Sequence, residues 1–485
     1  MKPLEMNHLK KIISFFFVLV ISCSQRNKED QDFPRTSVVP SSEQIEYQQM
    51  EVIGFIHFGI NTFTDREWGT GKEDPDIFNP SSLDVSQWVN AAKTAGMGML
   101  ILTAKHHDGF CLWPSAYTNH SVKSSSWENG KGDIVKALSK SCAEAGIKFG
   151  IYLSPWDMHE PSYGSDEYNQ YYLSQLEELL TLYGTISEVW MDGAKGENAR
   201  DMEYDFEAYR SMVYELQPLA LIFSDVGPDI RWIGNEHGIA GFTNWSTINT
   251  DGMEIGDADT DYLNSGDPDG NKWLVGECDV SIRPGWFYHA SQDTMIKSPE
   301  YLVDLYYKSV GRNGTLLLNL PPDRRGLIHE NDIQSLIEFR SILDETFAHN
   351  LLKNAKADAS SQWAAGNKFD PLQLLDENFE SYWAASTSDT NPSVTIQLHD
   401  EAIIDRILLQ EPIQFGQRIN EFTIEAEVEG EWRSIVKGTT IGYKRILRFD
   451  PVKCSTLHVK IAGFNSTPAL STVAAYKASS KEKIF

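Results

Sequence analysis

Short apolar runs alternate with amphipathic stretches from about Val52 to Pro322. Val52 to Gly59 reads as a strand, and Leu83 to Ala95 as a helix with Val85, Trp88, Val89 and Ala92 on one face. Met97 to Thr103 predicts a strand, followed by a loop holding His106, His107 and Asp108. Asp133 to Ala145 is helical, and Lys148 to Leu153 is a strand. Glu167 to Tyr183 predicts a long helix closed by Gly184 at the position that favours glycine. Val189 to Met191, Ala220 to Phe223, Trp273 to Val275 and Thr315 to Leu318 supply later strands, with a helix around Phe206 to Leu216. Strand–helix alternation repeated this often predicts a parallel sheet covered by helices. Its count and length favour a (β/α)8-like barrel of the α/β class over an open doubly wound sheet. No Gly-x-Gly-x-x-Gly fingerprint follows the first strand, so a dinucleotide fold lacks its usual support.

A helix from Glu330 to Phe347 ends this region, and the pattern then changes. Ser393 to Leu398, Ile403 to Leu409, Glu421 to Ala426, Trp432 to Val436, Leu447 to Phe449 and Thr456 to Ile461 read as short strands with turn residues between them. That spacing predicts an all-β sandwich. The boundary falls near Asn350 to Ala357, dividing a catalytic domain over 43–348 from a sandwich over 349–485.

The N-terminal pattern is different again. Lys10 and Lys11 precede an apolar run from Ile12 to Ile21, too short to span a bilayer and of the kind found in secretory signals. The run ends Val20-Ile21-Ser22-Cys23, which resembles a bacterial lipobox. The expectation is a signal peptide over 1–22, a lipid anchor at Cys23 and a polar tether to residue 42. That implies an exported bacterial lipoprotein, in the periplasm or on the outer-membrane surface; the competing reading is a plain secreted protein. The remaining cysteines, Cys111, Cys142, Cys278 and Cys454, lack metal-ligand spacing, and sequence alone does not pair them.

A formal charge of −27 over 485 residues argues against a nucleic-acid or anionic-membrane partner and leaves a neutral substrate easier to accommodate. Thirteen Trp and nineteen Tyr suit the apolar faces of sugar rings, although any large core uses them too.

Polar residues gather just after the predicted strands: His57 after the first, His106 and His107 after the second, Tyr152 in the third and Asp192 at the end of the fourth. In a barrel these ends converge on one pocket. Asp192, in Val189-Trp190-Met191-Asp192-Gly193, reads in isolation as a turn residue, since Asp-Gly is an ordinary turn signal. Three histidines at two successive strand ends shift the balance toward a site. A metal is disfavoured, because adjacent His106-His107 lacks the i, i+4 spacing of a zinc protease.

Gly54-Phe55-Ile56-His57-Phe58-Gly59, Ala104-Lys105-His106-His107-Asp108-Gly109-Phe110 and Val189-Trp190-Met191-Asp192-Gly193 resemble α-L-fucosidases of glycoside hydrolase family 29, over about Glu43 to Ala348. The resemblance implies that Asp192 is the nucleophile of a retaining mechanism. It also implies that His57, Glu67, Trp68, His106, His107, Tyr152 and Trp190 bind sugar, and Trp286 can pack on the sugar's apolar face. Retention needs a second carboxyl group. Glu236 and Glu277 are the two candidates. Trp232 to Glu236 and Asp279 to His289 resemble the family branch that acts on α-1,3/1,4-linked fucose, where the glutamate of Gly-Asn-Glu is the acid/base. That choice is Glu236, and leaves Glu277 as a buried carboxylate holding a barrel loop.

The implied function is exo-acting removal of terminal α-1,3/1,4-linked fucose from branched glycans, with no cofactor required. The alternatives are a catalytically inactive glycan-binding surface lipoprotein, or a fucosidase of broader specificity. The terminal sandwich resembles discoidin-like carbohydrate-binding modules. Its Asp376 to Trp383 segment looks like the one beside their structural calcium, although such an acidic loop is more often a solvated turn. The sandwich either binds glycan or buttresses the barrel.

Overall fold

The computed structural model describes residues 33–364 and 366–482. The signal peptide, Cys23 and the first half of the tether therefore lie outside the described residues. Ten strands form the first part of the chain: β1 (Val52–Ile56), β2 (Met99–Lys105), β3 (Lys148–Leu153), β4 (Glu188–Trp190), β5 (Leu221–Ser224), β6 (Ile230–Trp232), β7 (Thr247–Ile248), β8 (Lys272–Trp273), β9 (Val275–Ser281) and β10 (Gly314–Asn319). Eight of them close into a parallel barrel in the order β1-β10-β9-β6-β5-β4-β3-β2, while β7 and β8 pair with each other outside it.

The helices include α1 (Ser42–Met50), α2 (Ile60–Thr64), α3 (Val85–Thr94), α4 (Ile134–Ala145), α5 (Glu167–Leu182), α6 (Phe206–Leu216), α7 (Thr260–Ser265), α8 (Pro299–Lys308) and α9 (Glu330–Phe347). Side-chain caps start most of them. Asp84 accepts from the amides of Ser86 and Gln87, and Asp133 from that of Lys136. Beyond the end of α5, Gly184 takes φ +79°, as the sequence predicts.

Barrel strands are buried on both faces, so their period of two separates two cores rather than core from solvent. Phe55, Met99, Ile101, Trp190, Phe223 and Leu317 fill the barrel, whereas Leu100, Leu102, Ile151, Val189, Ile222 and Leu316 pack outward with helix residues such as Trp88, Leu138 and Leu176. Two strands depart from expectation. The run Trp273 to Val275 divides between β8 and the barrel strand β9. That strand, Val-Gly-Glu-Cys-Asp-Val-Ser, is wholly buried despite its polar residues. β6 has only three residues, with fully buried Arg231 at its centre.

Helix α1, which the pattern does not reveal, lies against the end of the barrel opposite the strand carboxyl termini. A capping box at Ser41 and Gln44 starts it. Gln44 Nε2 then donates to the carbonyls of Trp273 (2.7 Å) and Asp229 (2.9 Å).

The remaining strands are β11 (Lys356–Ala359), β12 (Trp383–Ala384), β13 (Ser393–Gln410), β14 (Ile419–Val428), β15 (Glu431–Gly438), β16 (Arg445–Phe464), β17 (Ala469–Leu470) and β18 (Thr472–Tyr476). They form an antiparallel sheet in the order β11-β13-β16-β14-β15, with β18 on β13, and a small β12–β17 pair. The expected strand pairs 393–398 with 403–409, and 447–449 with 456–461, are each one long irregular strand. Register breaks between Gln397 and Ala402 mark the first discontinuity.

Barrel and sandwich belong to one compact unit that begins at Arg35. Their junction is polar. Lys444 donates to Glu51, which precedes β1, and Tyr443 Oη donates to the same carboxylate at 3.2 Å. Asn313, at φ +64° before β10, accepts from the Tyr443 amide at 2.8 Å and donates to Ser246 Oγ at 3.0 Å. Arg231 donates to Asn244 and Trp245, and the Asn244 amide donates to Thr440 at 3.0 Å. The sandwich thereby braces the base of β6.

Replacing Asn313 by alanine leaves buried partners unpaired at a left-handed position. We expect a loss of about 2–4 kcal/mol in urea-denaturation stability. A loss under about 1 kcal/mol would show that the junction bears little of the fold.

Candidate active site

At the carboxyl ends of the strands the chain encloses a cavity of about 250 Å³. Its lining includes His57, Trp68, His106, His107, Tyr152, Trp190, Asp192, Glu236 and Trp286. These nine residues come from elements up to 229 positions apart (286 − 57), and the closed barrel is what brings them together. Glu67 and Glu277, the other two singled out from sequence, lie elsewhere.

Alternation along β4 directs Glu188, Trp190 and Asp192 inward, with Val189 and Met191 outward. Asp192 Oδ2 accepts from Tyr152 Oη at 3.0 Å, and its Oδ1 from the Ala194 amide at 2.8 Å. Burial raises its pKa above the ordinary range, and these two donors pull it back. Gly193 has a reason beyond the turn. A Cβ there would lie 2.7 Å from the Gly256 amide nitrogen and 2.8 Å from Asp225 Oδ2.

Histidine protonation follows from burial and partners. Burial, with a contribution from His107, drives His57 down to about 3, and burial drives His107 to about 3 as well. His106 is pushed well below its usual range by burial, then by the other two histidines. All three are neutral at pH 7. Asn319 Nδ2 donates to Ser281 Oγ and to the Trp286 carbonyl, so its Oδ1, 2.9 Å from His57 Nδ1, is an acceptor. Ser154 Oγ donates to the Trp156 carbonyl and so accepts from His107 Nδ1 at 2.7 Å. Both imidazoles therefore carry hydrogen on Nδ1 and keep a lone pair on Nε2. His107 Nε2 stands 3.7 Å from Asp192 Oδ2. Two acceptors facing each other across that distance suit a donating hydroxyl.

The rest of the His-His-Asp-Gly-Phe motif shapes the loop. Asp108 accepts from the amide of Phe110 (2.7 Å) and from Asn61 (3.0 Å). Gly109, at φ +79°, has no room for a Cβ beside Asp157, which forms a buried pair with Lys105.

Glu236 follows β6 on a loop formed by Gly234 at φ +85° and by Asn235, whose side chain accepts from His237 and donates to Ile239. The residue is exposed, and Oε2 accepts from Trp286 Nε1 at 3.3 Å. Partial burial of its carboxyl raises the pKa; the Trp286 hydrogen bond lowers it, and the charges of Asp192 and Glu67 raise it.

Glu277 lies within β9, not on a loop. It is completely buried and accepts from Trp190 Nε1 at 2.8 Å and from Tyr47 Oη of α1. Burial pushes it up to about 7. Its reach to Trp190 makes it a support beneath the cavity. Glu67 is outside the cavity lining, with its carboxylate turned toward the backbone of Trp286.

Phe223 and Asp225, which no motif marked, also line the cavity, as do Phe55, Trp232 and Asp279 from the family-like segments. Asp225 follows β5 much as Asp192 follows β4, which is a signal the pattern offered. It accepts from the Gly256 amide at 2.7 Å, and burial raises it to about 6. Asp279 accepts from Trp232 Nε1 at 2.8 Å and is driven well above its ordinary range, by burial and then by Glu236. Ring packing is dense, with Trp190 stacked on Phe223 at 4.0 Å and Trp68 edge-on to His107 at 5.5 Å.

In the sandwich, the Asp376 loop folds on itself. Asp376 accepts from the Asn378 amide and Ser381 Oγ, and Asn378 from the Glu380 amide. Among the described residues no group of three or more His, Cys, Asp or Glu is arranged to hold a metal. These side chains serve the turn.

A closed parallel barrel with several carboxyls, neutral histidines and tryptophans at its strand ends is suited to glycoside hydrolysis. The family model described as Alpha-L-fucosidase matches residues 24–345, and one described as F5/8 type C domain matches 356–473. Alpha-L-fucosidase 1 of Arabidopsis thaliana is 47% identical over 95% of this chain and 93% of its own. A relative from Oryza sativa subsp. japonica is 49% identical over 89% and 84%. The Ruminococcus gnavus GH29 fucosidase E1_10125, solved in complex with fucose, has a TM-score of 0.86 at 35% identity, covering 93% of this chain and 98% of that one. The chain belongs to the α-L-fucosidases of glycoside hydrolase family 29 and carries a C-terminal F5/8 type C domain.

The comparisons also correct one expectation. An exported bacterial lipoprotein is not the placement these relatives support, since both curated relatives described above are plant proteins. The N-terminal pattern alone had carried that reading.

Because burial and the nearby Glu236 push Asp279 toward its neutral form, an amide should be able to replace it. Asp279→Asn should keep kcat/KM on an aryl fucoside within about threefold, the amide oxygen still accepting from Trp232. A loss of a hundredfold or more would mean that this carboxyl works ionised.

Proposed function

We propose that the enzyme is an exo-acting, retaining α-L-fucosidase that removes terminal α-1,3/1,4-linked fucose from branched glycans, using residues 43–348. Asp192 is the nucleophile and Glu236 the acid/base. The observation that carries this reading is that both carboxyls line one cavity and differ in the donors that meet them. Asp192 has two hydrogen-bond donors directed at its ionised form. Glu236 has one long contact and two negative neighbours.

Asp192 attacks the anomeric carbon while Glu236 donates its proton to the departing glycosidic oxygen, and a fucosyl-aspartate ester forms. Glu236, now ionised, takes a proton from water, which attacks the ester and releases fucose. The lone pairs on His57 and His107 accept from sugar hydroxyls, with His106, Tyr152, Trp68, Trp190 and Trp286 completing the pocket. The fucose complex of the Ruminococcus gnavus relative supports a fucose-sized occupant. The linkage assignment is supported by Trp232, Glu236, Asp279 and Trp286, all from the two branch-like segments and all lining the cavity.

One assay tests linkage and the acid role together. Wild type should hydrolyse a Lewis-type trisaccharide faster than 2′-fucosyllactose. Glu236→Ala should lose roughly 10²–10⁴-fold on the trisaccharide and far less on an activated aryl fucoside. Preference for 2′-fucosyllactose would overturn the linkage reading. Full trisaccharide activity in Glu236→Ala would overturn the acid/base assignment.

A further inference from the structure

We propose that Arg312 and Arg445, at the junction of barrel and sandwich, hold a small inorganic anion such as chloride between their guanidinium groups.

Arg312 lies between α8 and β10, and Arg445 opens β16. The two residues pair as an isolated antiparallel bridge. Residues directly opposite each other in such a pair send their side chains to one face, with Cβ atoms about 4.5–5.5 Å apart, and like charges placed there repel. Both guanidiniums also share one aromatic ring. The Phe242 centroid is 6.0 Å from the Arg312 guanidinium carbon and 4.5 Å from that of Arg445. The ring attracts each cation but cancels no charge.

No carboxylate does so either. Among the described residues neither arginine forms an ion pair. Asp304, the carboxylate whose charge reaches Arg312, is already engaged. Its Oδ1 accepts from Arg448 at 2.6 Å, and its Oδ2 is 2.6 Å from Lys308 Nζ. Burial, then the charge of Arg312, lowers the Arg445 pKa to about 10, so Arg445 stays a cation at neutral pH.

Other buried arginines of this chain are provided for. Arg231 donates to four oxygens, and Arg283 is paired with Asp332 and Asp293. Arg445 is only 1% exposed, yet it donates to the Phe242 carbonyl alone (2.7 Å), and its Nε is buried with no acceptor among the described residues. Arg312 donates to the Ala240 carbonyl at 2.8 Å. An anion between the two accepts from the bare Nε, separates the like charges and supplies the missing counter-charge. Phe242 is half exposed, which leaves the pair within reach of solvent. With a net charge of −27 the protein as a whole repels anions, so such a site must be made locally. The carbonyls held by the two arginines belong to the segment that leaves the Glu236 loop, and the anion thereby steadies that segment.

Thermal unfolding of the full-length protein, in sodium chloride against sodium gluconate at one fixed ionic strength, equalises general screening. Wild type should gain about 2–4 °C in Tm, and the gain should saturate as chloride rises. Arg312→Gln, at the less buried of the two positions, should show less than about 1 °C of that gain. No gain in wild type, a gain that climbs without saturating, or an equal gain in the variant would overturn the site. Wild-type crystals soaked in bromide give a test that needs no variant. Anomalous scattering should place bromide within hydrogen-bonding reach of both guanidiniums, and an empty position there at saturating bromide would overturn the proposal.

Discussion

Four carboxyl groups, from Asp192, Asp225, Glu236 and Asp279, line one cavity, and they cannot all be ionised together. Among the described residues that line it there is no Lys or Arg to relieve them, and burial disfavours charge on its histidines. Charge must then be distributed by hydrogen bonds. Asp192 receives a phenol and an amide, Asp225 one amide, and Asp279 one indole. Glu236 has only a long indole contact. This order makes Asp192 the carboxyl best supplied with donors for its ionised form, which the proposed double displacement needs at its start.

The scaffold sustains that order from below. Strand periodicity that aims Asp192 into the cavity also aims Glu188 and Glu277 into the barrel, where α1 meets Glu277 through Tyr47. Burial and the charge of Glu277 push Glu188 well above its ordinary range, so this lower pair does not add two full charges beneath the site. Glu277 holds the indole of Trp190, and Trp190 stacks on Phe223. Further out, the sandwich braces the base of β6 through Thr440, Asn244 and Arg231, and β6 leads directly to the Glu236 loop. Buttressing of the barrel is therefore visible in the contacts of the second domain.

The barrel and most of its cavity were legible because apolar strands ended in unusual polar residues. His57, His106, His107 and Asp192 each stand at such an end. The less legible parts share a physical cause. β9 carries glutamate and aspartate on its inward positions, so hydrophobic patterning does not mark it as a buried strand. β6 is three residues long around a buried arginine satisfied by four acceptors, Leu263, Leu274, Asn244 and Trp245. Asp279 and Trp232 lie on those strands and came to notice only through the family-like segments. The orientation of Glu67 was not legible either, because its partners Gly285 and His289 lie more than two hundred positions away. Localisation failed for a simpler reason, since a short N-terminal pattern was set against kinship across most of the chain.

Asp192 is the residue on which the account turns, and the presence of three other carboxyls makes its role open to a direct chemical test. The enzyme would be incubated with a 2-deoxy-2-fluoro-L-fucosyl fluoride, whose fluorine slows breakdown of a covalent intermediate. Proteolysis and mass spectrometry would then locate the label. The account predicts a fluorofucosyl ester on the peptide containing Asp192, at that residue. An ester on Asp225, Glu236 or Asp279, or inversion at the anomeric centre with no ester formed, would contradict it.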